Sequence, residues 1–265
     1  MRTHYLIFSL MLLSFTSFAQ LKYIGHRGAS WYAPENSLAA IRLAFELGAD
    51  GAECDIRLTG DNQIVLWHDD NTKRLTDQNL EIAKTPYAEL KQLKIKRSAT
   101  NSAFFGEERM PLLKDVLQAL PEDQLLVIEI KCGVEIFPHL QKVVQDYWKS
   151  GSVAFISFGY ETIAMAKSLY PDVPCYFLTS KKEELTKRIP EIIKDKLDGV
   201  DLRSKIVGRE LVDALRKDKI DVWCWTVDDV EEALRMQESG VTVITTNRPT
   251  WLKEQIAVRN PAGSN

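Results

Sequence analysis

Eight short apolar runs, at 22–25, 51–57, 125–130, 153–156, 174–178, 199–201, 221–225 and 242–245, recur along the chain. The longer stretches that follow them, at 37–47, 113–119, 136–148, 161–169, 183–194, 209–217, 230–238 and 249–258, repeat apolar residues every three to four positions, the helical period. A strand followed by a helix, eight times over, is the order of βα units around a parallel sheet. Runs such as Leu125-Leu126-Val127-Ile128 lack polar alternation, as strands covered on both faces do. The expected fold is therefore α/β, a (β/α)8 TIM barrel. One region breaks the rhythm. Residues 63–67 read as an extra strand paired behind 51–57, and 69–110 form a polar excursion with a basic stretch at 91–97 and the pair Phe104-Phe105. Loops this long in compact domains are usually lids or subdomains, so the excursion is expected to be a small inserted cap after the second strand.

The ends and the composition narrow the class. Residues 1–19 have the features of a signal peptide: Arg2, an apolar run from Tyr5 to Phe15, then the small residues Ser17 and Ala19 at the cleavage positions. That run is too short to span a bilayer, no later run approaches the ~20 apolar residues needed, and no cysteine follows the cleavage point to carry a lipid. The expectation is an exported protein, periplasmic or extracellular, without a membrane anchor. It would have one domain over 20–260, near the ~250 residues typical of this barrel, and a flexible tail at 261–265. A net charge of −3 with neither sign massed argues against nucleic acid or anionic lipid and toward a small-molecule partner. The four cysteines, Cys54, Cys132, Cys175 and Cys224, each lie in or at the end of a strand-like run. Strands fix side-chain directions and seldom bring such cysteines together, so buried free thiols are expected.

In a barrel of this kind chemistry sits at the C-terminal strand ends, and there the polar residues concentrate on the first strands. The first ends Gly25-His26-Arg27-Gly28, the second carries Glu53-Cys54-Asp55, the hairpin strand ends Trp67-His68-Asp69, and the third ends Glu129-Ile130-Lys131. Glu53 and Asp55, two apart, share one face, and Glu129 can point to the same place. Three carboxylates without thiolate or imidazole make a hard oxygen site for one divalent cation, Ca2+ or Mg2+. An internal salt-bridge network of Glu53, Asp55, Glu129, Arg27 and Lys131 explains the same pattern. His26 and His68 beside those acids suit phosphodiester cleavage, one taking a proton from the nucleophile and one protonating the leaving alcohol. The alternative for each is a hydrogen-bonded structural role. Arg27 and Lys131 have a place as phosphate ligands, with Gly28 allowing close backbone approach. Pro34-Glu35-Asn36-Ser37 has the residues of a helix start, and its donors could equally face an anion.

With these residues in view, the chain resembles the glycerophosphodiester phosphodiesterase family along nearly all of its mature length. His26-Arg27-Gly28-Ala29 with Ala33-Pro34-Glu35-Asn36-Ser37 is similar to the family's opening motif, and Gly48 to Thr59 to its second block. His68-Asp69, Ile128-Glu129-Ile130-Lys131, Trp225-Thr226-Val227-Asp228 and Thr245-Thr246-Asn247-Arg248-Pro249 resemble later blocks. Asn247 stands where the family usually has Asp, and Leu112-Leu113-Lys114 where Pro-Thr-Leu-Glu is commoner. The resemblance implies a divalent cation on Glu53, Asp55 and Glu129, His26 and His68 as acid and base, and Arg27 and Lys131 as phosphate ligands. It implies a glycerophosphodiester substrate and release of an alcohol from glycerol 3-phosphate. Trp225, ending the seventh strand, either walls a glycerol moiety or packs. The rival activities are a lysophospholipase D or phosphoinositide-type phospholipase C with the same site, and a non-catalytic exported phosphodiester-binding protein. A wide apolar channel lined by Phe104, Phe105 and Trp31 would favour a lipid tail.

Overall fold

The computed structural model describes residues 21–96 and 106–259. The segments expected to be a signal peptide (1–19) and a tail (261–265), with Arg97, Phe104 and Phe105, lie outside them.

Nine strands form one sheet: β1 (Lys22–Gly25), β2 (Gly51–Leu58), β3 (Ile64–Leu66), β4 (Leu125–Ile130), β5 (Ser152–Ser157), β6 (Cys175–Thr179), β7 (Gly199–Arg203), β8 (Asp221–Trp225) and β9 (Val243–Thr246). Their order is β1-β9-β8-β7-β6-β5-β4-β2-β3, and a further β1–β2 pairing closes eight parallel strands into a barrel. β3 pairs antiparallel on the outside of β2, extending it one residue past the expected end through Leu58↔Ile64. The helices are α1 (Leu38–Glu46), α2 (Tyr87–Leu90), α3 (Leu113–Ala119), α4 (Phe137–Tyr147), α5 (Tyr160–Leu169), α6 (Lys182–Lys194), α7 (Arg209–Lys217), α8 (Val230–Ser239) and α9 (Pro249–Arg259). Apart from α2, each follows the periodicity of the sequence to within a residue or so at its ends. No helix among the described residues is long and apolar enough to cross a membrane.

Strand alternation sorts the side chains. Ala52, Cys54 and Ile56 of β2, Leu126, Ile128 and Ile130 of β4, and Val200 and Leu202 of β7 face outward and join the large core beneath the helices. Ile24, Val127, Ala154, Ile156, Tyr176, Leu178, Trp223 and Val243 fill the lumen, with Tyr176 and Trp223 stacked at 3.8 Å between ring centroids. The same alternation turns Glu53, Asp55, Glu129 and Asp201 inward. All four cysteines are free thiols, and Cys54, Cys175 and Cys224 are buried in the outer core.

The excursion after β3 carries its own small apolar cluster, in which Trp67, Ile82, Leu90, Leu93, Ile95 and Met110 pack together. Residues 82–84 form a 3-10 turn and α2 a single helical turn, while bridges Asn71↔Glu81 and Lys94↔Arg109 tie its strands of chain. Trp67 donates through Nε1 to the Asn71 carbonyl at 2.9 Å, anchoring the excursion at the barrel mouth beside His68.

Candidate active site

Parallel register sets the acids. Asp55 of β2 lies directly opposite Glu129 of β4, and Glu53 is one inward position below. Donor oxygens of Glu53, Asp55 and Glu129 lie within 4.8 Å of one another. Glu53 and Asp55 are fully buried, and Glu53 Oε1 has no hydrogen-bond partner among the described residues. Burial, then Asp55 and Glu129, push the Glu53 carboxyl well above the ordinary carboxylate range. Burial and Asp55 raise Glu129 to about 7. Burial opposes ionisation of Asp55 as well, but Arg27 and Lys131 outweigh it and hold that carboxyl below its usual value. Three acids crowded this way resist carrying full charge together, and an orphaned carboxylate oxygen among them suits a cation ligand. All-oxygen donors with one satisfied by nothing else fit Mg2+ or Ca2+.

The basic residues surround this cluster. Arg27 Nε is 3.3 Å from Asp55 Oδ2, Lys131 Nζ is 2.7 Å from Glu129 Oε1 and 3.7 Å from Asp55 Oδ1. The salt-bridge network read from the sequence is thus present, yet it leaves Glu53 uncompensated. Arg27 takes a left-handed backbone (φ 54°), which aims its own N–H at Glu53 Oε2, 2.7 Å away. Such a conformation in a non-glycine residue is held only where its surroundings over-determine it.

His26 continues β1, its backbone N–H bonded to the Thr246 carbonyl. Its Nδ1 is 2.8 Å from Asn247 Oδ1, which also accepts from Ser30 Oγ at 2.8 Å. Asn247 Nδ2 donates to Asp228 Oδ2, 2.5 Å away, so the amide cannot flip without setting two oxygens against each other. The proton therefore sits on His26 Nδ1, and Nε2 presents a lone pair. Burial, then Arg27, lowers the His26 pKa to about 4. His68 is set differently. Its Nδ1 bonds Asp69 Oδ1 at 2.8 Å, and Asp69 Oδ2 accepts from Arg74 Nε at 2.7 Å. Burial lowers the His68 pKa while Asp55 and Asp69 pull it back up.

Both imidazoles, Arg27, Glu53, Glu129 and Lys131 line one cavity of about 230 Å3. Its inner wall is apolar: Ile156, Phe158, Leu178 and Trp225. Trp225 lines the cavity and packs edge-on to Phe158 at 5.5 Å between ring centroids. A shallower groove of about 660 Å3, lined by Arg57, Asp69, Asp70, Asn71, Lys73 and Arg74, shares His68 and Lys131 with it.

Residues 26–250 match the model of the glycerophosphoryl diester phosphodiesterase family. The chain belongs to that family. A glycerophosphodiester phosphodiesterase of Caldanaerobacter subterraneus is 30% identical over 236 residues, covering 86% of this chain and 95% of that one. A human lysophospholipase D is 26% identical over 293 residues, with 94% and 93% covered. An Oleispira antarctica phosphodiesterase, solved with the product sn-glycerol-3-phosphate, superposes with a TM-score of 0.82 at 27% identity, over 89% of this chain and 97% of its own. The protein is thus a phosphodiesterase on a TIM barrel, a hydrolase of the glycerophosphoryl diester phosphodiesterase family.

Several residues of the site were not singled out from the sequence, or were read otherwise. Asn36, left open there between capping and anion contact, holds Asp55: its Nδ2 donates to Asp55 Oδ2 at 2.8 Å, and its Oδ1 accepts from the Asp55 N–H at 3.0 Å. Ser37 is the cap of α1, accepting from the Ala40 N–H at 3.0 Å. Gly28 (φ 78°) serves packing, since a Cβ there would stand 2.4 Å from the Ala40 carbonyl carbon, where α1 crosses the loop. Glu35 bridges Arg27 and Arg74, both at 2.7 Å, tying the first loop to the excursion. Phe158 and Asp201 carried no sequence signal beyond a position at or just after a strand end, and Asp228 stood in the block at 225–228 without a role assigned to it.

Proposed function

We propose that this chain hydrolyses glycerophosphodiesters to an alcohol and sn-glycerol 3-phosphate with one divalent cation, Ca2+ or Mg2+, held by Glu53, Asp55 and Glu129. The observation that carries the reading is that two imidazoles, two cations, Glu53 and Glu129 line a single small cavity, with a donor oxygen of Asp55 within 4.8 Å of those of the two glutamates. The bound cation would offset charge on a phosphate oxygen and so make phosphorus a better electrophile. Arg27 and Lys131 hold the remaining phosphate charge. His26, neutral at pH 7 and with its Nδ1 proton fixed by Asn247, takes the proton of the nucleophile through Nε2. The nucleophile is water or the neighbouring glycerol 2-hydroxyl. His68, supported by the Asp69 carboxylate, gives a proton to the departing alkoxide. Phe158 and Trp225 present apolar surface to the glycerol side.

Replacing either His26 or His68 with Ala should remove turnover of glycerophosphocholine while the far-ultraviolet and thermal unfolding signals stay those of the wild type. Near-normal turnover by both variants refutes the assignment. A second reading, lysophospholipid cleavage, is favoured by the 44% exposure of Phe158 beside Trp225, an apolar step at the cavity rim. A panel running from glycerophosphocholine to long-chain lysophosphatidylcholine separates the two by where kcat/KM peaks. We also propose export to the periplasm or exterior, on the strength of the apolar segment between Arg2 and Ala19. N-terminal sequencing of protein from cell fractions checks it, with Gln20 as the expected first residue.

A further inference from the structure

Asp201 is the inward-facing acid of β7, 1% exposed, and it lines the same cavity as the histidines. Among the described residues neither of its carboxylate oxygens has a hydrogen-bond partner. Nor does any cation stand against it, since Arg27 and Lys131 are taken by Asp55, Glu35 and Glu129. It also stands outside the group of three acids whose donor atoms converge. Its backbone is well held: the Asp201 carbonyl accepts from Trp225 Nε1 at 3.2 Å, and β6 and β8 pair on either side. A carboxylate in this state is expensive, for a buried polar group left unpaired forfeits its hydrogen bonds to water and a charge forfeits more. Nothing in the fold needs it, because the lumen on either side is filled by Leu178 and Trp223. An acid kept at a loss, pointing into a cavity, is a group whose partner arrives with the ligand.

The surroundings say what kind of partner. Asp201 lies beside its register partner Leu178, and the cavity it lines carries an apolar set, Ile156, Phe158, Leu178 and Trp225, together with a charged set, Arg27, Lys131 and the histidines. A ligand spanning both has an anionic end and a small, mostly carbon end that carries hydrogen-bond donors. Two carboxylate oxygens match two hydroxyl donors on adjacent carbons, and a phosphate would be repelled. We propose that Asp201 is a specificity residue that accepts hydrogen bonds from the free vicinal hydroxyls of the glycerol moiety. This inference rests on the proposed hydrolysis of glycerophosphodiesters and adds how the site distinguishes a glycerol diester from any other phosphodiester. Trp225 then has a double role, its ring walling the carbon chain while its Nε1 fixes the strand that carries Asp201.

The test uses the full mature chain loaded with Mg2+ or Ca2+, and two substrates: glycerophosphocholine, which has the free diol, and bis(p-nitrophenyl) phosphate, which has no hydroxyl. In Asp201→Ala and Asp201→Asn the ratio of kcat/KM for the first over the second should fall, by roughly 10–100-fold in the alanine variant, and mainly through KM. A parallel loss on both substrates, or on neither, overturns the proposal. Calorimetry separates this outcome from failure of the functional reading. If wild type cleaves neither diester, hydrolysis is refuted, but binding still tests Asp201. Asp201→Ala should then weaken sn-glycerol 3-phosphate while leaving inorganic phosphate unchanged. Equal affinities for wild type and variant toward sn-glycerol 3-phosphate would mean that Asp201 meets only water. The melting temperature of ligand-free Asp201→Asn should equal or exceed that of wild type, and a marked drop would mark the residue as structural.

Discussion

The two ends of the barrel treat an inward-facing acid in opposite ways: Asp221 at one end is half-buried, Glu53 and Asp201 at the other fully buried. At the N-terminal end, Asp221 of β8 accepts from the Val222 N–H at 2.9 Å, Trp223 Nε1 at 2.9 Å, Thr242 Oγ1 at 2.8 Å and Tyr176 OH at 3.2 Å. At the C-terminal end, Glu53 Oε1 and both Asp201 oxygens accept from nothing among the described residues. The strands are the same and the geometry of the sheet continues from one end to the other. What differs is whether the fold supplies the partners. A satisfied acid stiffens the floor, and an unsatisfied one is left for what enters the mouth.

The contrast breaks most visibly at Glu53. Glu53→Gln should lower kcat by roughly 10²–10⁴-fold, the scale for removing an electrostatic group acting at the reacting centre, with a urea midpoint equal to or above that of the wild type. Loss of stability with activity intact would reverse the comparison. At the floor the effects exchange places. Asp221→Ala leaves the Trp223 and Tyr176 donors without their partner and should reduce unfolding free energy by about 2–4 kcal/mol, read from urea titration, while kcat stays within about threefold.

The mouth also has its own pH dependence. Glu129 takes its proton near 7, far above the ordinary carboxylate value, because burial and Asp55 disfavour its charge. Proton and cation compete for it and for Glu53, whose carboxyl is raised as well, so cation affinity should weaken as pH falls through the neutral range. Isothermal titration with Mg2+ or Ca2+ across pH 5 to 8 reads this, and an affinity independent of pH would contradict it. The smallest effect belongs to the support of His26. Asp228→Asn lets the Asn247 amide turn and loosens the His26 tautomer, so kcat should fall roughly tenfold and the acid limb of the pH profile should move. An unchanged profile would mean that Ser30 alone fixes Asn247.

Much of this was legible in the chain. Charges in an apolar strand announce themselves, and Glu53 and Asp55 two apart could only face one way. Strand count and the antiparallel hairpin of β2 and β3 followed from periodicity and length. Less legible were contacts that barrel closure creates between distant segments. Asn36 reaches Asp55 across 19 residues, Arg74 reaches Glu35 across 39, and His26 reaches Asn247 across 221. Asp201 escaped for another reason: a single aspartate ending a short strand looks like the opening of a turn, and only its missing partners set it apart.

The central claim is that three acids gather a divalent cation beneath two histidines that move the protons. Release of glycerol 3-phosphate from glycerophosphocholine, followed before and after chelation and again after metal is restored, tests it most directly. The account predicts activity that vanishes with the chelator, returns with Mg2+ or Ca2+, and returns in neither His26→Ala nor His68→Ala. Full turnover by the chelated protein, with the metal content verified, would contradict it.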